Sequence, residues 1–165
     1  MTGDHHTGRL KRLKERLSKH HDSGQIRFSL KRYSRLIQFS IRHKNEADYR
    51  IAGELVMGEY QFDPSTHYEH IIDGGANIGM FSVQAAATNP QAEITAYEPS
   101  PENLDQYRIN CSTNSITPQI YEAALWSHDT TVKFQNDTSM SGHVDESKGG
   151  VEVTAICPQI KKTPG

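Results

Sequence analysis

The sequence predicts an α/β fold: a parallel sheet, incomplete on one side, behind an N-terminal extension made of a helix and a hairpin. Three observations point there. From His70 onward, strand and helix patterns alternate as β-α-β-α-β, the order that builds parallel strands. A glycine-rich turn, Asp73 to Gly79, stands where the first of these strands feeds the first helix. Only three core strands occur before a polar tail of Pro158, Lys161, Lys162, Pro164 and Gly165, whereas a doubly wound sheet normally continues beyond its first strand.

Each element has its own signal. Leu10, Leu13 and Leu17 recur at helical spacing among Lys11, Arg12, Lys14 and Arg16, which predicts an amphipathic helix over 8–19. Ile26, Phe28 and Leu30 alternate, as do Ile37, Phe39 and Ile41; two strands follow, 25–30 and 36–41, paired as a hairpin. Asn45 is a good N-cap, Ala47, Ile51 and Leu55 follow at intervals of four, and Gly58 is a natural stop, so 46–57 reads as a helix. Ile71-Ile72 is a short buried strand. A helix is expected from Asn77 to Thr88, ended by Asn89-Pro90. Glu93 to Tyr97 is the next strand. Ser100 is placed as the cap of a helix that has Pro101 at its first position. Gln119 to Leu125 is read as the third strand, and Thr131–Gln135 with Val151–Ile156 as an antiparallel pair. The expected organisation is a basic arm (1–24), a hairpin and helix (25–60) and the parallel-sheet domain (61–165).

The chain has 165 residues, about one domain. With 35% hydrophobic and 23% charged residues it is not disordered throughout, and no apolar run approaches the ~18 residues of a membrane span. The N-terminus lacks the apolar stretch of a signal peptide, which makes a cytoplasmic location the default. Two cysteines, Cys111 and Cys157, exclude a disulfide scaffold and lack zinc-site spacing. His5-His6 and His20-His21 are adjacent pairs, which do not share a helix face, so no metal site is expected. The net charge of −2 conceals an asymmetry: residues 1–50 hold 13 Lys/Arg against 5 Asp/Glu, and the remainder is acidic. No nucleic-acid motif accompanies the basic arm.

The turn reads Asp73-Gly74-Gly75-Ala76-Asn77-Ile78-Gly79. Gly75 lets backbone approach a ligand, and Gly79 allows the helix to pack tightly on the strand. A dinucleotide turn wants a glycine where Ala76 stands. S-adenosylmethionine (SAM) sites open instead with an acid followed two residues later by glycine, which Asp73 and Gly75 supply. SAM carries an amino-acid end and a sulfonium cation and no pyrophosphate, so an acid suits it. Glu98 ends the second strand, 23 residues after Gly75, where a carboxylate accepts both hydroxyls of a ribose in either ligand.

The stretch from Ile71 to Asn114 resembles the FkbM-type family of SAM-dependent methyltransferases. The residues that carry the resemblance are Asp73 to Gly79, then Glu98-Pro99-Ser100-Pro101-Glu102-Asn103, Leu104 and Asn110, with Glu122-Ala123-Ala124-Leu125 downstream. Upstream, Ser40-Ile41-Arg42, Ala47-Asp48-Tyr49, Glu54 and Glu59-Tyr60 extend it more weakly. The resemblance implies a Rossmann-like, class I methyltransferase-like sheet with SAM as cofactor, and methyl transfer to a hydroxyl of a small molecule or glycan. It implies that Asp73, Gly74, Gly75, Ala76, Asn77 and Gly79 form the cofactor turn, that Glu98 holds the ribose, and that Glu122 and Ala123 lie near the adenine. Family members continue with an Asp-Ile-Glu-Gly-Ala-Glu strand that this sequence lacks. The expectation is a truncated sheet with an exposed edge open to self-association, and no turnover by the chain alone. No catalytic residue is assigned: His128, His143, Asp129 and Asp145 are the candidate bases, each more readily read as a loop residue. A degenerate interaction module is the second reading, and a nicotinamide enzyme the third.

Overall fold

A computed structural model of the chain describes residues 3–17, 21–22, 24–32, 34–63, 65–135, 143–144 and 151–158. His20, Asp145 and the tail residues Lys161, Lys162, Pro164 and Gly165 lie outside the described residues. In chain order the elements are α1 (Gly3–Leu17), β1 (His21–Asp22), β2 (Gln25–Arg32), β3 (Arg35–Arg42), α2 (Glu46–Met57), β4 (His70–Gly74), α3 (Met80–Thr88), β5 (Glu93–Tyr97), α4 (Pro101–Thr113), β6 (Gln119–Tyr121), β7 (Ala124–Leu125), β8 (Thr130–Gln135), β9 (His143–Val144) and β10 (Val151–Ile156).

The expected α/β class is borne out. Strands β4, β5 and β6 form a parallel sheet in that order, with Ile71 opposite Ile94 and Ala96 opposite Ile120. Among the described residues β4 has a ladder partner on one side only, and Ile72 is 43% exposed. The hairpin pairs β2 with β3 in full antiparallel register, and β1 extends it. A third sheet has the order β7-β10-β8-β9, with β8 and β10 antiparallel as expected.

Helices α3 and α4 lie between the hairpin and the parallel sheet. One core joins Ile26, Phe39 and Ile41 of the hairpin to Leu55 of α2 and to Met80 and Val83 of α3. On the other side of the helices, Ala85 meets Ile71 and Ile94, and Tyr107 meets Ala96. The N-terminal extension is therefore packed on the helices of the parallel-sheet unit. Polar side chains join the same layers. Gln106, Asn110 and Asn114 recur every four residues, so they share one face of α4. Gln106 donates to the Ser40 carbonyl, Asn110 accepts the Ser40 N–H, and Asn114 bonds both backbone groups of Gln38. The helix thus supplies the partners a neighbouring strand would have given β3.

Most strands run one to three residues longer than expected, and larger differences occur at α1, α3, α4 and the strand expected over 119–125. Helix α1 begins at Gly3, ahead of the expected Gly8, and runs to Leu17; residues 18–19 of the expected helix lie outside the described residues. Its half-buried Leu17 packs on the hairpin core, and Lys14 forms an ion pair with Glu46 of α2. Helix α3 begins at Met80, not at Asn77, because Asn77 and Gly79 take left-handed backbone angles (φ +49° and +83°) that delay the first helical turn. At α4 the Ser100 side chain makes no cap bond; its N–H is held by Glu98 instead. The single strand expected over 119–125 is broken at Glu122-Ala123. Its first part pairs with β5, and its second part leaves that sheet to run parallel to β10.

Gly79 is the position where backbone freedom decides the packing. It sits against α4, not the strand: a Cβ there would lie 2.9 Å from Cδ2 of the buried Tyr107 ring. Gly79→Ala combines a left-handed residue, at ~1–2 kcal/mol, with an overpacked ring, at ~1–3 kcal/mol. We expect a loss of about 2–5 kcal/mol in urea unfolding; a loss of only about 1–2 kcal/mol would show that Tyr107 moves aside freely, and an unchanged midpoint would overturn both contributions.

Candidate functional site

The turn leaves β4 at its C-terminal end and folds back over the end of β5. The N–H groups of Gly75 and Ala76 both donate to the Tyr97 carbonyl, each at 2.9 Å. Beside it opens a cleft of about 480 Å³, within the ~300–1,000 Å³ range of small-molecule sites. Its floor is Ile72 to Asn77, one wall is Met80 and Phe81 of α3, and the other is Arg50, Ile51, Glu54 and Tyr60 from α2 and the loop after it. Gly75 has φ +83°, and a Cβ on it would meet nothing within 4 Å, so the backbone faces open space. A hollow of about 650 Å³ lies at the opposite end of the sheet, around Thr95, Pro118 and Gln119. Ligands of open α/β sheets bind at the carboxyl ends of the strands, which favours the smaller cleft.

The structure brings Asp73, Gly74, Gly75, Ala76 and Asn77 together at this cleft. Asp73 is buried and accepts a hydrogen bond from Ser82 Oγ at 2.6 Å, and Ser82 in turn accepts one from Tyr107. Burial pushes its carboxyl up to about 6; the Ser82 bond opposes this and the nearby Glu98 charge adds to it. It remains mostly ionised at neutral pH. Asn77 Oδ1 is buried and has no hydrogen-bond partner, although its backbone N–H is bound. An unpaired buried acceptor costs ~1–3 kcal/mol, so a ligand donor at this point would restore what folding gave up.

Glu98 does end β5, yet it lies beneath the turn and is 3% exposed. Its Oε2 accepts the Asn77 N–H at 2.8 Å, and its Oε1 accepts the Ser100 N–H at 2.9 Å and the Asn103 amide at 3.3 Å. Burial raises its pKa, opposed by these bonds and by the Arg42 charge. Gly79 is buried against Tyr107, away from the cleft. Glu122 is exposed and pairs with Arg108, and Ala123 is buried; neither lines the cleft. His128 is exposed beside Ser127, and Asp129 accepts the Cys157 N–H. Trp126 packs on Ala124, Val132 and Ala155. Cys111 is buried, and its thiol is pushed up to about 12, which makes it unreactive.

No role follows from sequence for Arg50, Glu54 and Tyr60, although Glu54 and Tyr60 stand in the stretch that resembles the FkbM type. Arg50 Nε lies 3.4 Å from Glu54 Oε1, and Tyr60 donates its hydroxyl to Glu54 Oε2 at 3.0 Å. Their only sequence signal was opposite charges four residues apart on a helix.

The chain is similar to proteins named methyltransferases. It is 27% identical over 85 residues to Methyltransferase 1 of Beauveria bassiana (strain ARSEF 2860), covering 51% of this chain and 34% of the relative. It is 33% identical over 98 residues to methyltransferase sdnD of Sordaria araneosa, covering 56% of this chain and 38% of the relative. The chain thus spans little more than a third of the length of these relatives. No family profile matches it. A solved structure, the T. thermophilus 16S rRNA N2 G1207 methyltransferase in complex with AdoMet and guanosine, is 15% identical with a TM-score of 0.44, over 62% of this chain and 28% of that one. Among the described residues no three His, Cys, Asp or Glu side chains group as metal ligands, and no helix is long and apolar enough to cross a membrane.

Proposed function

We propose that the chain carries the SAM-binding part of a methyltransferase that acts on a hydroxyl of a small molecule or glycan, in the manner of the FkbM type. The observation that carries this reading is the cleft at the end of β4, floored by a glycine turn that begins with a buried acid and holds an unpartnered Asn77 oxygen. The likeness to two methyltransferases supports it. The default cytoplasmic location belongs to the same reading.

SAM, when bound, supplies a methyl group on a sulfonium, ready for in-line displacement. The residues of this chain bind and orient. Ionised Asp73 offers negative potential to a cationic ligand and repels a pyrophosphate, which disfavours NAD. Asn77 Oδ1 accepts a donor from the ligand. Glu98 is read as the ribose acceptor. Three of the roughly four acceptor positions of its carboxylate are committed, so receiving two hydroxyls requires release of one bond, the 3.3 Å Asn103 contact being the longest. Rate enhancement would come mainly from holding the acceptor oxygen at near-attack distance. Glu122 and Ala123 are read as adenine neighbours.

Calorimetry tests the reading. The chain should bind SAM, and Gly75→Val should weaken that binding at least about tenfold, because a branched side chain at φ +83° strains the turn and projects over the cleft. Binding of NAD without SAM would overturn the assignment, and binding of neither would favour the interaction module.

A further inference from the structure

The two edges of the hairpin differ in what covers them. In an antiparallel ladder, opposite residues alternate between pairs that bond each other and pairs whose backbone groups both face outward. Gln38 and Ser40 of β3 bond Asn114, Asn110 and Gln106 of α4 through their N–H and C=O groups, so they face outward. Opposite them stand Ser29 and Arg27 of β2, whose N–H and C=O groups therefore point to the other edge, as do those of Lys31. Strand β1 covers that edge only at Gln25 and Ile26. Among the described residues no hydrogen bond reaches the backbone of Arg27, Ser29 or Lys31 from this side. A groove of about 450 Å³ runs beside them, between α1 and the last turn of α2. Its apolar lining is Leu13, Leu17, Phe28, Leu30 and Val56. Phe28 and Leu30 are half-buried, whereas Phe39 and Ile37 opposite them are buried, so the core layer ends uncovered at β2. Arg32 donates to the Leu55 carbonyl at 2.7 Å, which holds α2 against the strand and keeps the groove formed. Arg16 and Arg27 also line the groove; both are exposed and have no ion-pair partner among the described residues. Glu15 is the only acid over residues 11–17, against Lys11, Arg12, Lys14 and Arg16.

An open strand edge flanked by apolar side chains is the geometry that takes an extended peptide as an added strand. Side chains of such a strand alternate: one set enters the groove beside Leu13, Leu17 and Leu30, and the other lies on the outer face with Arg27 and Lys31. We propose that the open edge of β2 docks an acidic segment of a partner protein, extended and with apolar residues at alternate positions. A second copy of this chain fits worse, because antiparallel pairing centred on Ser29 sets Arg27 and Lys31 of the two copies opposite each other, like charge against like. The groove shares no lining residue with the cleft at the end of β4, so the docking site stands apart from the cofactor reading.

The test uses the full chain and two fluorescein-labelled peptides, Glu-Val-Glu-Ile-Glu-Val-Glu and the block order Glu-Glu-Val-Ile-Val-Glu-Glu, which share composition and charge. Fluorescence anisotropy should show the alternating peptide binding at least about tenfold more tightly than the block peptide. The alternating peptide should slow amide exchange at Arg27, Ser29 and Lys31 and leave Phe28 and Leu30, already bonded to β3, unchanged. Arg27→Glu should weaken binding about tenfold or more. Ser29→Pro removes an outward N–H without breaking the ladder to β3, and it should abolish binding. Thermal melting checks that both variants fold; where Ser29→Pro does not, Arg27→Glu and the exchange pattern decide. Absence of binding by the alternating peptide, or undiminished binding in both variants, would overturn the proposal. Equal binding of the two peptides without protection of the Arg27, Ser29 and Lys31 amides would also overturn it, since charge alone would then hold them. Protection of these amides by phosphatidylserine vesicles, and not by the peptide, would assign the edge to a lipid surface instead.

Discussion

Asp48→Ala should lower the unfolding free energy by about 3–5 kcal/mol in urea denaturation, the usual result of removing one partner of a buried pair. Asp48 is fully buried and receives three hydrogen bonds from Arg42: from the backbone N–H at 2.8 Å, Nε at 3.0 Å and a terminal nitrogen at 2.6 Å. Among the described residues, alanine leaves the guanidinium hydrogen-bonded to the Asn103 side chain and the Glu102 carbonyl. A domain of this size is stable by ~5–15 kcal/mol, so the loss is a large part of the whole. The pair ties β3 to α2, and through Asn103 and Glu98 it reaches the N–H of Asn77. The same variant should therefore loosen the glycine turn, seen as faster amide exchange at Asn77. The double change Arg42→Met with Asp48→Leu should recover much of the stability, because apolar replacement removes the desolvation cost of both charges. A loss below about 1 kcal/mol in Asp48→Ala would mean that Arg42 re-pairs with the nearby Glu102 or Glu98.

Asp73→Asn should stabilise the fold at neutral pH, by up to about 3 kcal/mol. The Asp73 carboxyl moves from 3.8 to about 6 on folding, chiefly through burial. About two units at ~1.4 kcal/mol each set the magnitude. The folded state binds this proton more tightly than the unfolded state does. Stability from this group is therefore present below pH 3.8 and is lost as pH rises through the window to about 6. Glu98 is shifted in the same direction, so part of the slope survives in the variant. The measurement is the urea midpoint from pH 3.5 to 8. Wild type and variant should converge at the acid end and separate above pH 6. Asparagine keeps an acceptor for Ser82 but gives up the charge, so SAM binding should weaken as stability rises. A variant less stable than wild type at pH 7.5 would show that the Ser82 bond outweighs the burial of the charge. Such a trade is common where a site holds a charge against its surroundings.

Local chemistry settled much of this protein before any contact was known. Asn45 and Gly58 bracket α2 because a side-chain acceptor and a left-handed glycine act within a few residues of themselves. The hairpin follows from alternation, and the parallel order of β4, β5 and β6 from the spacing of strands and helices. The acid-first turn and Glu98 were legible as a pair for the same reason: each marks the end of a strand in a β-α-β unit. Tertiary structure decided what these residues face. Glu98 reads as an open acceptor in the sequence, but the return of the turn onto Tyr97 puts it under Asn77. Gly79 reads as a glycine for strand packing, but the ring that needs the space comes from Tyr107, 28 residues later. The strand expected over 119–125 divides because β10, distant in sequence, offers β7 a parallel partner. Arg50 and Glu54 became cleft residues only when α2 packed against α3 beside the turn. Capping and periodicity are short-range and repeat from one protein to another, so they can be read from neighbours along the chain. Burial, pKa and access depend on which distant surface arrives, and only the packed chain contains that information.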